Sequence, residues 1–124
     1  MKVFISQPMR GKTDEEILAV RKSVIAGIKS DFTDETIEIV DSFFEGAPVD
    51  VKPLWFLGKS IEKLSTADIA VFVEGYADAR GCRIERECAY EYDIPAYHAS
   101  NDGVITALTV LDSPFELPFN EEER

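Results

Sequence analysis

The run Asp68-Ile69-Ala70-Val71-Phe72-Val73-Glu74 is apolar at all of its inner positions and shows no alternation between inward and outward side chains. A strand with one wet face alternates, whereas a strand without alternation has both faces covered. The run therefore constrains the chain to a sheet packed on both sides, for which a parallel sheet flanked by helices is the usual solution. Three more runs suit the same sheet: residues 2–6 (KVFIS), residues 36–40 (TIEIV) before a loop over 43–49 that carries Gly46 and Pro48, and residues 94–97 after Asp93.

Helical patterns fall between these runs. Thr13-Asp14-Glu15-Glu16 has the form of a capping box, in which Thr13 takes an amide of the first turn and Glu16 returns the bond. A helix then runs to about Ser30 with Ile17, Leu18, Val24, Ile25 and Ile28 as its apolar stripe. A second is expected over residues 53–64, where Leu54, Leu57, Ile61 and Leu64 recur at helical spacing, and a third from about Cys82 to Tyr92. The alternation predicts an α/β domain with a mostly parallel sheet of four or five strands. With 124 residues, 45% of them hydrophobic, one domain over 1–124 has enough apolar surface for a core. Residues 104–111 receive no element, and the tail from about residue 112 is expected to be peripheral.

Charge narrows the partners. The 24 acidic and 13 basic side chains leave a formal charge of −11, which repels nucleic-acid backbones and anionic membranes. A small anion is not excluded, because a few amides and cations set the field inside a cleft. No apolar run approaches the roughly 18 residues of a membrane span, and no signal-like terminus is seen, so a cytoplasmic location with reduced thiols is expected. Cys82 and Cys88 lie six apart on one helix, a poor geometry for a disulfide. His98 is the sole histidine and no cysteine pair has ligand spacing, so no metal site is expected.

Ser6-Gln7-Pro8-Met9-Arg10-Gly11-Lys12-Thr13 ends like a phosphate-binding P-loop, yet Ser6 stands where that motif needs glycine. Thr13 is a helix cap and Lys12 a solvated charge. The third helix carries a sharper signal: Gly81, Ile84, Cys88, Ala89 and Tyr92 form a core-facing stripe with Glu85 in its middle, while Arg83, Arg86, Glu87 and Tyr90 fall on faces that reach water. The first turn of a helix after a central strand borders the crevice at the carboxyl ends of the strands, which puts Glu85 at its wall. A half-buried carboxylate needs a partner; desolvation raises its pKa and the helix N-terminus lowers it. Two readings weigh equally: an architectural bond to a backbone amide, Arg83 or Arg10, or a role in chemistry.

Four segments, VFISQPMRG, DIAVFVEG, ARGCRIERECA and DIP, together resemble the nucleoside 2-deoxyribosyltransferase superfamily, in particular its small phage-associated members, over most of residues 1–98. Family members carry the catalytic glutamate in a run E-x-G-x-A with a proline ten residues on; Glu85, Ala89 and Pro95 satisfy both spacings and Glu87 does not. The resemblance implies a flavodoxin-like three-layer α/β sandwich and chemistry at a nucleoside's N-glycosidic bond, without metal or cofactor. Glu85 would attack the anomeric carbon, and a second base or water would then take the sugar, by hydrolysis or exchange. It also implies a homodimer or larger assembly.

The monophosphate N-glycosidases of this superfamily have an Arg-Gly pair in the loop after the first strand, matched by Arg10-Gly11. The resemblance thus makes Ser6, Gln7, Pro8, Met9, Arg10 and Gly11 candidate substrate residues, with Arg10 a charge-assisted donor to phosphate. Six residues before the glutamate, where transferases carry Asp and the monophosphate hydrolases Ser, this chain has Ala79. Its neighbours Asp78 and Arg80, ahead of Gly81, suit a sugar hydroxyl and a phosphate respectively. Asp68 matches a family Asp near the base and equally suits a strand-start residue. Trp55, Phe43, Phe44 and Phe56 suit stacking on a base but read first as core or dimer contacts, His98 as a surface or hydrogen-bonded residue, and Glu121 to Glu123 as a solvated end. Cys82 and Cys88 read as helix packing, with a lowered thiol pKa as the alternative for Cys82 near the helix N-terminus. The competing reading is a non-catalytic nucleotide-binding or sensing protein that uses the same crevice. A flavodoxin-like electron carrier fits the fold but needs a hydroxyl-rich, glycine-rich phosphate loop that this sequence does not have.

Overall fold

The computed structural model describes residues 1–40 and 49–109. Along them run β1 (Lys2–Ser6), α1 (Asp14–Asp31), β2 (Glu38–Val40), α2 (Pro53–Leu64), β3 (Ile69–Val73), a 3-10 turn (Tyr76–Asp78), α3 (Arg80–Glu91), β4 (Ala96–Ala99) and β5 (Ile105–Ala107). The strands form one sheet in the order β2-β1-β3-β4-β5. β1 is parallel to β2 and to β3, β3 is parallel to β4, and only β5 is antiparallel to its neighbour. The chain is thus α/β with a mostly parallel five-stranded sheet, as expected, in an order compatible with a flavodoxin-like layout.

The unalternating run becomes β3, and all five of its residues are buried. Its two faces have different partners. Ile69, Val71 and Val73 pack with Val3 and Ile5 of β1 and with Val24 and Ile28 of α1. Ala70 and Phe72 pack with Phe4, with Leu64 of α2 and with Cys82 and Ala89 of α3. Each such Val, Ile or Phe contributes roughly 1.5–3 kcal/mol by leaving water, so neither face tolerates a polar residue cheaply.

The Thr13 capping box forms as read: the Glu16 amide donates to Thr13 Oγ1 at 3.1 Å and the Thr13 amide donates to Glu16 Oε1 at 3.2 Å. Its buried line is narrower than the predicted stripe: Ile17, Val24 and Ile28 are inside, while Leu18, one residue round the helix from Ile17, is 55% exposed. On α2 only Leu64 is buried, and Leu54 is an exposed residue.

β4 starts two residues later than the predicted strand over 94–97, because the chain first closes α3. Asp93, at φ +58°, donates its amide to the Tyr90 carbonyl and Ile94 donates to Ala89, the paired bonds of a Schellman end. β5, which received no element above, lies in the 104–111 stretch as an antiparallel edge. Contact between α1 and the β4–β5 turn relies on Gly27, where a Cβ would collide with the Gly103 carbonyl oxygen. The loop over 43–49 except Val49, the aromatic residues Phe43 and Phe44, and the tail beyond residue 109 lie outside the described residues.

Candidate active site

The strand order reverses between β1 and β3, since β1 is followed by β2 on one side and β3 by β4 on the other. Loops leaving the carboxyl ends of two such strands diverge to opposite sides and leave a crevice. Here it is a cleft of about 1200 Å³, walled by Ser6, Gln7, Pro8, Met9 and Arg10 after β1, by Glu74, Gly75 and Asp78 after β3, by the first turns of α3, and by Pro53, Leu54, Phe56, Leu57 and Ser60 of α2.

Glu85 stands in its wall at 7% exposure. Ser6 Oγ donates to Glu85 Oε1 at 2.6 Å, a contact across 79 residues of sequence and shorter than most neutral hydrogen bonds, as a charged acceptor makes it. Ser60 of α2 lines the same cleft. No ion pair of the described residues includes Glu85, so neither Arg83 nor Arg10 is its architectural partner. Burial holds the Glu85 carboxyl above its usual range, and the Ser6 and Ser60 hydroxyls, by stabilising the anion, oppose that rise.

The loop after β1 is shaped by two contacts. Gln7 is buried and donates from Nε2 to the Ile17 carbonyl at 2.8 Å, which ties the loop to α1. The Lys12 amide donates to the Met9 carbonyl at 3.1 Å and closes a β-turn with Arg10 and Gly11 at its centre. Gly11 holds φ +78° at the third position of the turn, where a positive φ favours glycine. Arg10 is thereby carried at an exposed tip facing the cleft, whereas Gly11 serves the turn and is not among the wall residues.

Across the cleft, α3 begins at Ala79 with no capping side chain and no acidic residue in its first turn. Its leading amides keep their donors for something outside the helix. Among the described residues, Arg10, Lys12, Lys52, Arg80 and Arg83 line the cleft against Glu74, Asp78 and Glu85, five cations to three acids. The balance of +2 among these described residues opposes the −11 of the whole chain, and cations so placed attract an anion at short range that the chain repels at long range.

Of the predicted site residues, Ser6, Gln7, Pro8, Met9, Arg10, Asp78, Arg80, Gly81 and Glu85 all line this one cleft. Asp68 does not join them. It precedes β3, at the amino ends of the strands, where its Oδ2 accepts from the Lys2 amide at 2.7 Å and its own amide donates to the Lys2 carbonyl at 2.8 Å. Parallel pairing puts the first residue of a strand at the end away from the crevice, so Asp68 is the strand-start residue of its alternative reading.

The buried face of α3 is turned from the predicted one. Cys82, Glu85, Arg86 and Ala89 are inside, and Tyr92 is 79% exposed. Arg86, expected to reach water, is buried because its guanidinium lies 5.9 Å from the Phe72 ring centroid and its Nη2 donates to the Thr109 carbonyl at 3.1 Å, a π face and a strand-end carbonyl standing in for solvent. Cys82 packs in the apolar cluster as read, and its alternative of a lowered pKa does not hold: burial, with Glu85 adding to it, pushes its thiol up to about 11. Both cysteines are free thiols.

Residues that sequence reasoning missed come from α2. Ser60 and Leu57 carry no signal in the sequence beyond helical spacing, and Phe56, read first as a core or dimer contact, lies in the cleft wall at 41% exposure, where its stacking alternative would apply. Trp55 is absent from that wall; it stacks edge-on against Phe56 and beneath the Lys59 ammonium. The His98 ring lies 6.1 Å from that of Tyr76. No helix among the described residues is long and apolar enough to cross a membrane. Comparison of the chain with protein-family models, curated proteins and solved structures gives no match. What the cleft does has to follow from its own chemistry.

Proposed function

We propose that this protein cleaves or exchanges the N-glycosidic bond of a nucleoside 5′-monophosphate, with Glu85 as nucleophile, as a three-layer flavodoxin-like member of the nucleoside 2-deoxyribosyltransferase superfamily. The observation that carries the reading is the 2.6 Å bond from Ser6 to a buried Glu85 in the wall of a cationic cleft. A carboxylate held by hydroxyls, rather than neutralised by a guanidinium, keeps an oxygen free to attack carbon.

In the first step a Glu85 oxygen bonds to the anomeric carbon as the C–N bond breaks, and the electron pair departs with the base, which takes a proton. In the second, water or another base attacks the same carbon, the C–O bond to Glu85 breaks, and the carboxylate returns. Two displacements retain configuration. Arg10 and Arg80, with the open amides of α3, face the 5′-phosphate, and Asp78 suits a sugar hydroxyl. At about 1200 Å³ the cleft exceeds the roughly 300–1,000 Å³ of common ligand pockets, enough for a nucleotide with its leaving base. The family resemblance adds a homodimer or larger assembly, which sedimentation would read.

Wild type and Glu85→Ala are incubated with a panel of nucleosides and their 5′-monophosphates, and free base is followed by chromatography. Wild type is expected to release base, Glu85→Ala to lose at least about 10³-fold, and Glu87→Ala to keep most activity. Binding of nucleotide without release or exchange by wild type would instead make the crevice a binding or sensing site.

A further inference from the structure

We propose that the guanidinium of Arg86 anchors a second binding site, at the end of the sheet opposite the crevice, for a small organic carboxylate with an apolar body. The site is independent of the reaction proposed above. A hollow of about 260 Å³ lies beside Arg86, between the closing turn of α3, the start of β4 and the residues after β5, and it shares no residue with the cleft around Glu85. Pro95 precedes β4 and Leu108 follows the antiparallel β5, so the hollow lies at the amino ends of the parallel strands, away from the crevice.

Arg86 is an incompletely paired ion. It is only 3% exposed, so water does not solvate its charge. Nη2 donates to the Thr109 carbonyl and the Phe72 ring lies 5.9 Å from the guanidinium, but Nε is buried and has no hydrogen-bond partner. No ion pair among the described residues includes Arg86. A carbonyl and a π face each offer a partial negative charge and neither offers a whole one, and a buried charge is costly without a counter-ion. Carboxylates meet a guanidinium at two N–H groups at once. Arg86 lines the hollow, so an unused donor and room for its acceptor occur together.

The rest of the wall selects the ligand. Ile94, Pro95 and Leu108 are apolar and Tyr90 adds an aromatic ring, surface that a bare inorganic anion cannot use. Asp93 is the acid of the wall; it is exposed, so water and salt screen it, and its sign disfavours a dianion. At about 260 Å³ the hollow falls below the roughly 300–1,000 Å³ of drug-sized sites, which suits a single-ring monocarboxylate. The competing reading is architectural: Arg86 only braces Phe72 against the Thr109 carbonyl.

Benzoate is the probe, benzyl alcohol its neutral control and sodium chloride its ionic control. In isotope-labelled full-length protein, proton–nitrogen spectra show the Arg86 Nε–H, which is shielded from exchange with water and is assigned by its loss in Arg86→Lys or by its proximity to the Phe72 ring. Benzoate is expected to shift that peak saturably at millimolar concentration, neither control doing so, and the shift should persist in Arg80→Ala, which removes a cation of the cleft instead. By calorimetry, Arg86→Met should weaken benzoate at least about tenfold, the worth of a charged hydrogen bond. The wild-type spectrum decides on its own where Arg86→Met does not fold. No saturable shift in wild type, an equal shift with benzyl alcohol or chloride, loss of the shift in Arg80→Ala, or undiminished binding by Arg86→Met overturns the site and leaves Arg86 a brace. Release of base by wild type tests the reaction and not this site, so the two fail separately.

Discussion

Helix α1 starts at Thr13, whose hydroxyl accepts from the Glu16 amide while Glu16 reaches back, and its first turn holds Asp14, Glu15 and Glu16. Helix α3 starts at Ala79, has no capping side chain, and places Arg80 and Arg83 near the same positive end. Acids at a helix N-terminus stabilise by about 0.3–1 kcal/mol each and cations there cost a similar amount. Inside, α1 buries Ile17, Val24 and Ile28, while α3 buries Glu85 and Arg86. Two helices on one sheet thus follow opposite rules: α1 satisfies its own donors and charges, and α3 leaves them open toward the cleft. Open donors, misplaced cations and a desolvated carboxylate are what stability would remove and anion chemistry would keep.

The largest expected effect breaks that contrast at Glu85. Glu85→Gln should abolish base release by about 10³-fold or more and at the same time stabilise the fold at neutral pH. The sign follows from burial: a carboxyl raised above its usual 4.5 holds its proton longer folded than unfolded, so wild-type stability falls as pH rises from that value through the raised folded one. Melting temperatures at pH 7 and at pH 4 check it, since the advantage of the glutamine variant should shrink at the lower pH. Activity has the reverse dependence, because the nucleophile must be ionised; the acid limb of the rate profile should lie above the ordinary glutamate range. A variant less stable than wild type at pH 7 would mean that the hydroxyl bonds outweigh desolvation.

Next is the cationic rim. Arg10→Ala and Arg80→Ala should each raise KM for a nucleoside 5′-monophosphate by roughly 10- to 100-fold, the worth of a charge-assisted hydrogen bond, and leave an unphosphorylated nucleoside almost unaffected. Equal losses on both substrates would show that these arginines do not read phosphate. On the self-satisfied helix, Thr13→Ala should cost about 1 kcal/mol in denaturant unfolding with kcat unchanged, since the cap lies at the end of α1 and not in the cleft. The smallest and most pointed change gives α3 what α1 has: Ala79→Asp supplies a cap worth about 0.5 kcal/mol or more and puts a carboxylate on the open amides. It should raise the melting temperature and weaken monophosphate binding several-fold. Stabilisation without loss of binding would separate the helix start from the anion site.

Much of α1 was legible because its signals are local. A capping box spans four residues, and an amphipathic face repeats within one helix, so no distant partner is needed to read either. Leu18 was misread for the same reason in reverse: an apolar residue on the edge of a stripe is buried only if a neighbour arrives to cover it, and none does. On α3 the odd carboxylate stood out against an apolar stripe, but the stripe itself was placed wrongly at Tyr92 and Arg86. Burying Arg86 requires the Phe72 ring and the Thr109 carbonyl, which come from β3 and from beyond β5.

From the sequence alone came the α/β alternation, the doubly covered central strand and the suspicion attached to Glu85, since each rests on periodicity and on the cost of burying charge. Only the tertiary structure decided what Glu85 touches. Ser6 lies 79 residues away and Ser60 sits on another helix, and they come to one cleft because β1 and β3 pair in parallel and α2 lines the crevice their loops open. The same parallel pairing carried Asp68 to the opposite end of the sheet. Local chemistry names the residues able to act, whereas strand order and register choose which of them meet.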